Sequence, residues 1–368
     1  MTRHRGRLGL AIAAVLAIGC ASARPKPSDV LVWPSPPDPP RVKYLRTYRS
    51  PADLDPASLW ERMRRAFIGT DASLAIFNPT TVALSPDETR LYVACTSTAR
   101  VIEIDFAAGT MRLVADAEGH QPKQPFGLAT DAEGNLYVAD QIDHSVRVFS
   151  AAGGFLREVG RTVLERPIGI AIDRRRQILY VADGGRADDT HHQIEVFALD
   201  GRHLRTLGTR GFAPGQFNFP SYLAVSRDGT LYVGDSLNFR IQMFDPDGNL
   251  VGVFGAGGAD VGTFNKIKGL AFDGAGLLHV ADAASAWVQM FNAKHQLLLK
   301  YGDQGMTDGL MASPNGIAID SKNNIYVADL AGNRVTQYVL VDTSGPEERA
   351  PAKAAPASPT PTAASPVR

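Results

Sequence analysis

One pattern of residues recurs six times between residues 79 and 341, and this repetition constrains the fold more than any other feature of the chain. Each copy has a short apolar segment, a polar turn, a second apolar segment ending in Val-Ala-Asp or a close variant, another turn and a third apolar segment. The copies begin at Pro79, Pro125, Pro167, Pro220, Ile267 and Pro314. A fourth alternating stretch follows the middle copies, beginning at Phe155, His203, Asn249 and Gln296. The pattern therefore predicts four short strands in each unit.

Repeated units of about 40 to 50 residues with four strands are typical of β-propeller blades. Six units predict an all-β fold, a six-bladed β-propeller of four-stranded antiparallel blades. The sixth copy ends near Val341 without a fourth strand, whereas residues 41–49, RVKYLRTYR, alternate as the other fourth strands do. Because the sixth blade would otherwise keep an unpaired edge, we predict that residues 41–49 complete it. The predicted propeller then spans residues 41–341.

The fourth unit has the most complete set of turn residues. Its connecting segment, GTRGFAPGQFNFP, ends at Pro220 and is followed by LYVGD, which ends at Asp235, and by RIQMF from Arg240. This arrangement resembles the NHL repeat family, and the resemblance extends over residues 79–341. It implies the propeller fold and says little about activity.

Composition excludes two classes of protein. The chain has 38 Lys and Arg against 38 Asp and Glu, and this balance argues against a nucleic-acid-binding protein. Two cysteines in 368 residues exclude a disulfide-stabilised scaffold. We therefore expect an ordinary globular body with no nucleic-acid partner.

The N-terminal region has the pattern of a secretory signal. Three arginines precede the apolar run LGLAIAAVLAIG, which is too short to cross a bilayer and is followed by Cys20. The sequence Ala-Ile-Gly-Cys at this point resembles the lipobox of bacterial lipoproteins. The resemblance implies that residues 1–19 are a signal peptide and that Cys20 is lipidated. The other interpretation is an ordinary cleavage site with an incidental cysteine.

The expected location follows from this resemblance. Ala21 rather than Asp follows the cysteine, which by similarity to Gram-negative lipoproteins implies an outer-membrane protein of the cell envelope that faces the periplasm. Its membrane contact would be the N-terminal lipid. Residues 20–40 are rich in proline and predict an extended spacer, and residues 342–368 have few large apolar residues and predict a disordered tail.

One segment departs from the strand pattern. Residues 55–68 predict a short helical insert, since Asp55 can cap it and an apolar stripe that includes Trp60 follows. The helix either lies over the channel mouth or binds a partner or a membrane surface. Trp60 is accordingly a candidate binding residue.

Turns between second and third strands lie on one face of a propeller, together with the connections between blades. We call this the loop face; it carries the loops around residues 143–144, 184–192, 208–219, 255–266 and 302–313. His144, His191 and His192 are candidate binding residues on it. Peptidyl-hydroxyglycine lyases, which are NHL-like propellers, use histidines from different blades around zinc. A usable zinc site needs three protein ligands, and the third is missing here. Solvated loop histidines are therefore the favoured interpretation, with no metal site and no catalytic residue assigned.

The recurring acid of the second segment is a structural candidate, because an asymmetric substrate needs unlike groups whereas every blade needs its turn amides bonded. Its positions are Asp140, Asp183, Asp235, Asp282 and Asp329, with Cys95 at the equivalent place in the first copy. Cys95 is interpreted as a buried apolar residue rather than a nucleophile.

Two functions remain open. The leading hypothesis is a lipid-anchored binding or scaffold module, without a cofactor, for a protein, a peptide or an envelope polymer. The alternative is a metal-dependent lactonase- or lyase-like enzyme that uses one divalent ion on the loop face. Fold alone does not decide between them.

Overall fold

The computed structural model of the chain describes residues 31–54, 74–185 and 191–341. Within them, strands form six sheets of at least four strands each, and the only helices are three single 3-10 turns. The predicted signal peptide, Cys20, the helical insert at residues 55–68 with Trp60, and the tail at residues 342–368 lie outside the described residues. No described helix is long and apolar enough to cross a membrane.

The first three blades follow the chain from the innermost strand to the outermost. Blade 1 consists of β3 (Pro79–Leu84), β4 (Arg90–Cys95), β5 (Arg100–Asp105) and β6 (Thr110–Val114). Blade 2 consists of β7 (Pro125–Thr130), β8 (Leu136–Asp140), β9 (Ser145–Phe149) and β10 (Phe155–Val159). Blade 3 consists of β11 (Pro167–Asp173), β12 (Ile178–Asp183), β13 (Gln193–Ala198) and β14 (His203–Leu207).

The next two blades repeat this order. Blade 4 consists of β17 (Pro220–Val225), β18 (Leu231–Asp235), β19 (Arg240–Phe244) and β20 (Leu250–Phe254). Blade 5 consists of β21 (Ile267–Phe272), β22 (Leu278–Asp282), β23 (Trp287–Phe291) and β24 (Leu297–Tyr301). The connection into blade 4 contains a short parallel pair, β15 (Thr209–Arg210) and β16 (Gln216–Phe217). The 3-10 turns are Pro51–Asp53, Thr96–Thr98 and Ser236–Asn238.

Blade 6 joins two distant parts of the chain. It consists of β25 (Pro314–Ile319), β26 (Asn324–Asp329), β27 (Arg334–Leu340), β2 (Val42–Tyr48) and β1 (Val32–Trp33). Strand β2 pairs antiparallel with β27, with Val42 opposite Leu340. Strand β1 adds a two-residue edge within the segment for which the sequence predicts a spacer. The Trp33 ring explains this addition, because it is buried against Tyr338 and its Nε1 donates to Asp303 at 2.9 Å.

The apolar core lies between blades rather than at one centre. One cluster, for example, combines Ile194 and Val196 of blade 3 with Leu231 and Val233 of blade 4. The second strands are buried on both faces; all five residues of β8 are inaccessible. Both faces of a blade are covered by its neighbours, so these second strands are continuously apolar rather than alternating.

The inner strands approach one another closely around the channel. A Cβ atom on Gly169 would lie 2.1 Å from the carbonyl oxygen of Ser221 in the next blade, and one on Gly269 would lie 2.3 Å from that of Asn315. Glycine is required where two backbones approach so closely. The same inner-strand position is occupied, in order of blades, by Thr81, Gly127, Gly169, Tyr222, Gly269 and Gly316. At this level the channel narrows to a cavity of about 60 Å³.

Candidate ligand-binding mouth of the central channel

Tyr222 crosses the central channel. It stands in β17 of blade 4, where four of the other inner strands have glycine, and it is 5% exposed. Its hydroxyl donates to the carbonyl oxygen of Thr80 in blade 1 at 3.3 Å, on the opposite side of the ring. Burial raises the pKa of Tyr222 above its ordinary value, so it is a neutral donor. The side chain therefore separates a mouth on the loop face from a funnel on the opposite face.

Lys268 is the cationic group of the loop-face mouth. It is the second residue of β21 and is partly buried, with Nζ 5.7 Å from the centre of the Tyr222 ring. Burial, with a smaller effect of the positive charges of Lys266 and Arg166, lowers the pKa of Lys268 to about 8. The amine is therefore still mostly protonated at neutral pH, at a cost in free energy.

Further polar groups approach this region from neighbouring blades. Asn315 of β25 is buried, and its Oδ1 lies 3.5 Å from the Tyr222 hydroxyl. Arg166 enters blade 3, and its Nε lies 3.5 Å from Oε1 of Gln141. The Nε2 atom of Gln141 is buried without a hydrogen-bond partner. Phe126 adds an apolar wall, because it packs against the cluster that contains Tyr222.

The opposite face carries the turns between first and second strands, and we call it the turn face. Its funnel has a volume of about 420 Å³ and includes Arg174, Arg175 and Arg227 among its lining residues. These guanidinium groups connect blades. Arg174 donates to the carbonyl oxygen of Thr130 at 3.0 Å, and Arg175 donates to that of Arg227 at 2.9 Å. Arginine in the funnel therefore stabilises the ring of turns.

The recurring carboxylates of the Val-Ala-Asp segments hold the blade connections in place. Asp282 is inaccessible and accepts bonds from the amides of Asn265 and Lys266, 17 and 16 residues earlier, at 2.6 and 3.0 Å. It also accepts bonds from the amides of Ala284 and Ser285 in its own turn. Equivalent amides bond to the other four carboxylates, which are Asp140, Asp183, Asp235 and Asp329. These contacts agree with the structural role predicted for this residue.

Blade 1 has a cysteine in place of this carboxylate, so an amide of its connecting segment bonds to a different acceptor. Cys95 is inaccessible, and burial raises the pKa of its thiol to about 11. The amide of Asn78, which occupies the place of Lys266, donates instead to Oδ1 of Asn333 at 2.8 Å. The prediction that Cys95 is a buried apolar residue is confirmed by its burial, and such a thiol is a poor nucleophile at neutral pH.

The predicted histidines have separate environments. His144 is exposed at a positive φ of 53°, and its Nδ1 lies 2.5 Å from the carbonyl oxygen of Glu165. His192 is inaccessible, accepts the amide of Phe219 at Nδ1 and packs against that ring at 4.6 Å. His191 is partly exposed and has an interaction partner. Burial of His192 departs from the prediction of a solvated loop residue, because its ring fills the joint between blades 3 and 4.

No group of three His, Cys, Asp or Glu side chains among the described residues is arranged to hold a metal ion. Neither Lys268 nor Tyr222 was predicted as a site residue. Their signal lies in the aligned inner strands, where IKGLAF has lysine and PSYLAV has tyrosine at positions that are neutral or glycine in other copies.

The loop face also exposes large apolar side chains. They lie in turns between second and third strands and in blade connections, and we call them the apolar rim: Phe77, Ile142, Phe212, Leu237, Phe239, Val261 and Met306. Phe212 and Met306 are 75% and 65% exposed. Near the turn face, the described large apolar residues of comparable exposure are Val341, after the end of β27, and Leu250, at the start of β20, which are 49% and 37% exposed. Most of the exposed apolar side chains at the ends of strands therefore lie on the loop face.

Two family models match parts of the chain. The SMP-30/gluconolactonase/LRE-like region matches residues 71–184, and the NHL repeat matches residues 311–338. NHL repeat-containing protein 2 of Bos taurus is 29% identical over 148 residues, which cover 31% of this chain and 20% of that protein. The corresponding Gallus gallus protein matches to the same extent. The chain thus spans about a fifth of the length of the curated relatives it matches.

Solved propellers resemble most of the chain. A gluconolactonase from Xanthomonas campestris has a TM-score of 0.57 at 19% identity, covering 81% of this chain and 98% of that one. A streptogramin B lyase has a TM-score of 0.54 at 13% identity, covering 72% and 93%. Kuenenia stuttgartiensis hydrazine synthase has a TM-score of 0.53 at 19% identity, covering 74% and 79%. At these identities the likeness establishes the fold alone. The chain is therefore a six-bladed β-propeller with an NHL repeat and a gluconolactonase-like region.

Proposed function

We propose that this chain is a lipid-anchored binding module of the bacterial cell envelope that presents its loop face to a protein or peptide. The apolar rim carries the proposal. Exposed apolar side chains in turns cost free energy in water, and the rim has seven of them on one face, three of which are phenylalanines. Aromatic residues are enriched at interaction sites. An apolar rim around a cationic mouth favours a peptide or protein over a purely polar polymer.

The acids on this face support binding rather than proton transfer. Five buried carboxylates recur around the ring, and each accepts backbone amides from a blade connection. A general base must reach the proton that it removes. Carboxylates already bonded to several amides serve to hold the loops that display the rim.

The binding proposal is tested with paired surface variants of the full chain. Phe212→Ser with Met306→Ser removes two exposed residues of the apolar rim. Leu156→Ser with Val251→Ser is the matched control, since these residues are 47% and 58% exposed but lie on outer strands. After crosslinking in intact envelopes, the rim variant should lose the partners that the wild type and the control retain. Equal recovery of the same partners by both variants would refute the role of the loop face.

The anchor is a separate part of the proposal. The residues Ala-Ile-Gly-Cys20 and the spacer support acylation at the end of a tether leading to β1 at the outer edge of blade 6. Cells fed radiolabelled palmitate should label the wild-type chain and not Cys20→Ser, which should leave the membrane fraction. An unlabelled wild-type chain would overturn the anchor without affecting the binding surface.

A lactonase- or lyase-type enzyme is the second candidate. The gluconolactonase-like match over residues 71–184, which includes His144, favours it. The described side chains offer no three-ligand group for its divalent ion, so the family match is its support. Elemental analysis of the full chain, purified without a metal-affinity tag, together with gluconolactone hydrolysis tests it. Stoichiometric metal and activity that are both lost in His144→Ala would favour the enzyme.

A further inference from the structure

We propose that the loop-face mouth binds a carboxylate group, with the Lys268 ammonium as its principal contact. The proposal deepens the binding function above and rests on it, because it names the chemistry of the group that the loop face receives. The ligand is a carboxylate on an apolar stem, supplied either by an acidic peptide or by a small carboxylic acid.

Lys268 differs from several cations of the described propeller that pair with a carboxylate. Arg240 is bonded to Asp235 at 2.8 Å, Lys300 to Asp303 at 2.6 Å, and Lys123 to Asp143 at 2.6 Å. For Lys268, the contact in the described part of the chain is the face of the Tyr222 ring. A cation withdrawn from water without a carboxylate is costly, and an incoming anion would relieve that cost.

The surroundings favour an anion further. Arg166 and Lys266 act on Lys268 with like charge, and no carboxylate among the described residues acts on it appreciably. Gln141, bonded to Arg166, keeps a buried Nε2 that has no acceptor. Tyr222 uses its hydroxyl proton on Thr80 and contributes a neutral floor. The groups gathered around this mouth thus supply positive charge and unused N–H donors.

The form of the mouth favours a carboxylate on an apolar stem. Tyr222 closes the channel beneath Lys268, while Phe126 and the buried Ile168 line neighbouring inner strands with apolar surface. A carboxylate on an apolar stem can pair with the Lys268 ammonium and still contact the apolar walls, whereas inorganic phosphate has no apolar part to place against them. The apolar surface accommodates the stem that carries the carboxylate.

The test follows the Lys268 amine directly in the full chain. Lysines are dimethylated with ¹³C-formaldehyde, and the Lys268 signal is assigned by its absence in Lys268→Met. Butyrate and a triglutamate peptide are the carboxylate probes, and inorganic phosphate is the comparison. At least one carboxylate should shift the Lys268 signal and raise its titration midpoint, while the signal of exposed Lys294 stays in place. The shift and the titration are read on the wild type, and the variant is needed only to assign the signal.

Affinity gives the second readout. Lys268→Met should weaken binding of the same carboxylate by about tenfold or more, as expected for loss of a charge-assisted hydrogen bond, whereas Lys294→Met should bind as the wild type does. A response to triglutamate alone would identify a peptide source, and a response to butyrate would show that a small acid suffices. An unresponsive Lys268 signal, or phosphate binding equally with the same dependence on Lys268, would overturn the inference.

Failure of this inference is distinguishable from failure of the binding function. If the rim variant loses its envelope partner while Lys268→Met retains both partner and carboxylate binding, the loop face binds without a carboxylate contact. If Lys268-dependent carboxylate binding persists while the rim variant keeps all partners, the carboxylate site in the mouth is supported and the binding role of the apolar rim is refuted.

Discussion

Replacing Lys268 by methionine should stabilise the propeller at pH 7. Its pKa of about 8, against 10.5 for a free lysine, means that folding disfavours the ammonium. At pH 7, below both values, the corresponding penalty is about 3 kcal/mol at most. Methionine keeps the apolar stem but loses attraction to the Tyr222 ring, worth about 1 kcal/mol. We therefore expect the free energy of unfolding to rise by about 1 to 2 kcal/mol.

The stability difference between the wild type and Lys268→Met should depend on pH. Between pH 8 and 10.5 the folded chain has released the Lys268 proton while the unfolded chain still holds it, so wild-type stability gains with rising pH. The difference between the wild type and Lys268→Met should consequently shrink as the pH approaches 10. Urea unfolding of both proteins at pH 7 and pH 10 measures it, with Lys294→Met, an exposed replacement, as the control. A less stable Lys268→Met, or a gap that does not change with pH, would refute the reasoning.

Three further predictions concern the blade joints. Asp282→Ala leaves four amides without their acceptor and should lower the free energy of unfolding by about 3 to 5 kcal/mol. Asp282→Asn keeps one oxygen and should lower it by about half as much. Urea titrations of both variants measure these losses. Burial raises the pKa of Asp143, but Lys123 and Arg147 outweigh it and hold the pKa below its ordinary value. Its contribution should therefore be lost as pH falls below about 4, and Asp143→Asn should flatten that acid limb of the stability profile; an unchanged slope would contradict this. In a Cys20→Ser chain, which keeps Cys95 as its one cysteine, the thiol should react with a disulfide reagent only in guanidinium, and rapid labelling of the native protein would show that the joint of blade 1 opens.

Local features of the sequence predicted much of the fold. Strand alternation, turn residues and the spacing of the repeated acid act over a few residues, so the order of strands within blades can be inferred from them. The acid's structural role could also be inferred, because each copy shows the same carboxylate before a turn. The two-residue strand β1 could not, since its stability depends on the fit of Trp33 against Tyr338, about 300 residues away.

The candidate site was harder to predict because its members belong to different blades. The sequence by itself determined that six similar units exist and that lysine and tyrosine interrupt the pattern of two inner strands. Only closure of the ring brings Tyr222 to Thr80 across the channel and leaves Lys268 over an aromatic ring with no neighbouring carboxylate in the described chain. It likewise buries His192, which its sequence context suggested was a loop residue. The repeated sequence pattern predicts where strands form, because strand formation depends on neighbouring residues. The burial and pairing of charged side chains depend on which distant units face one another.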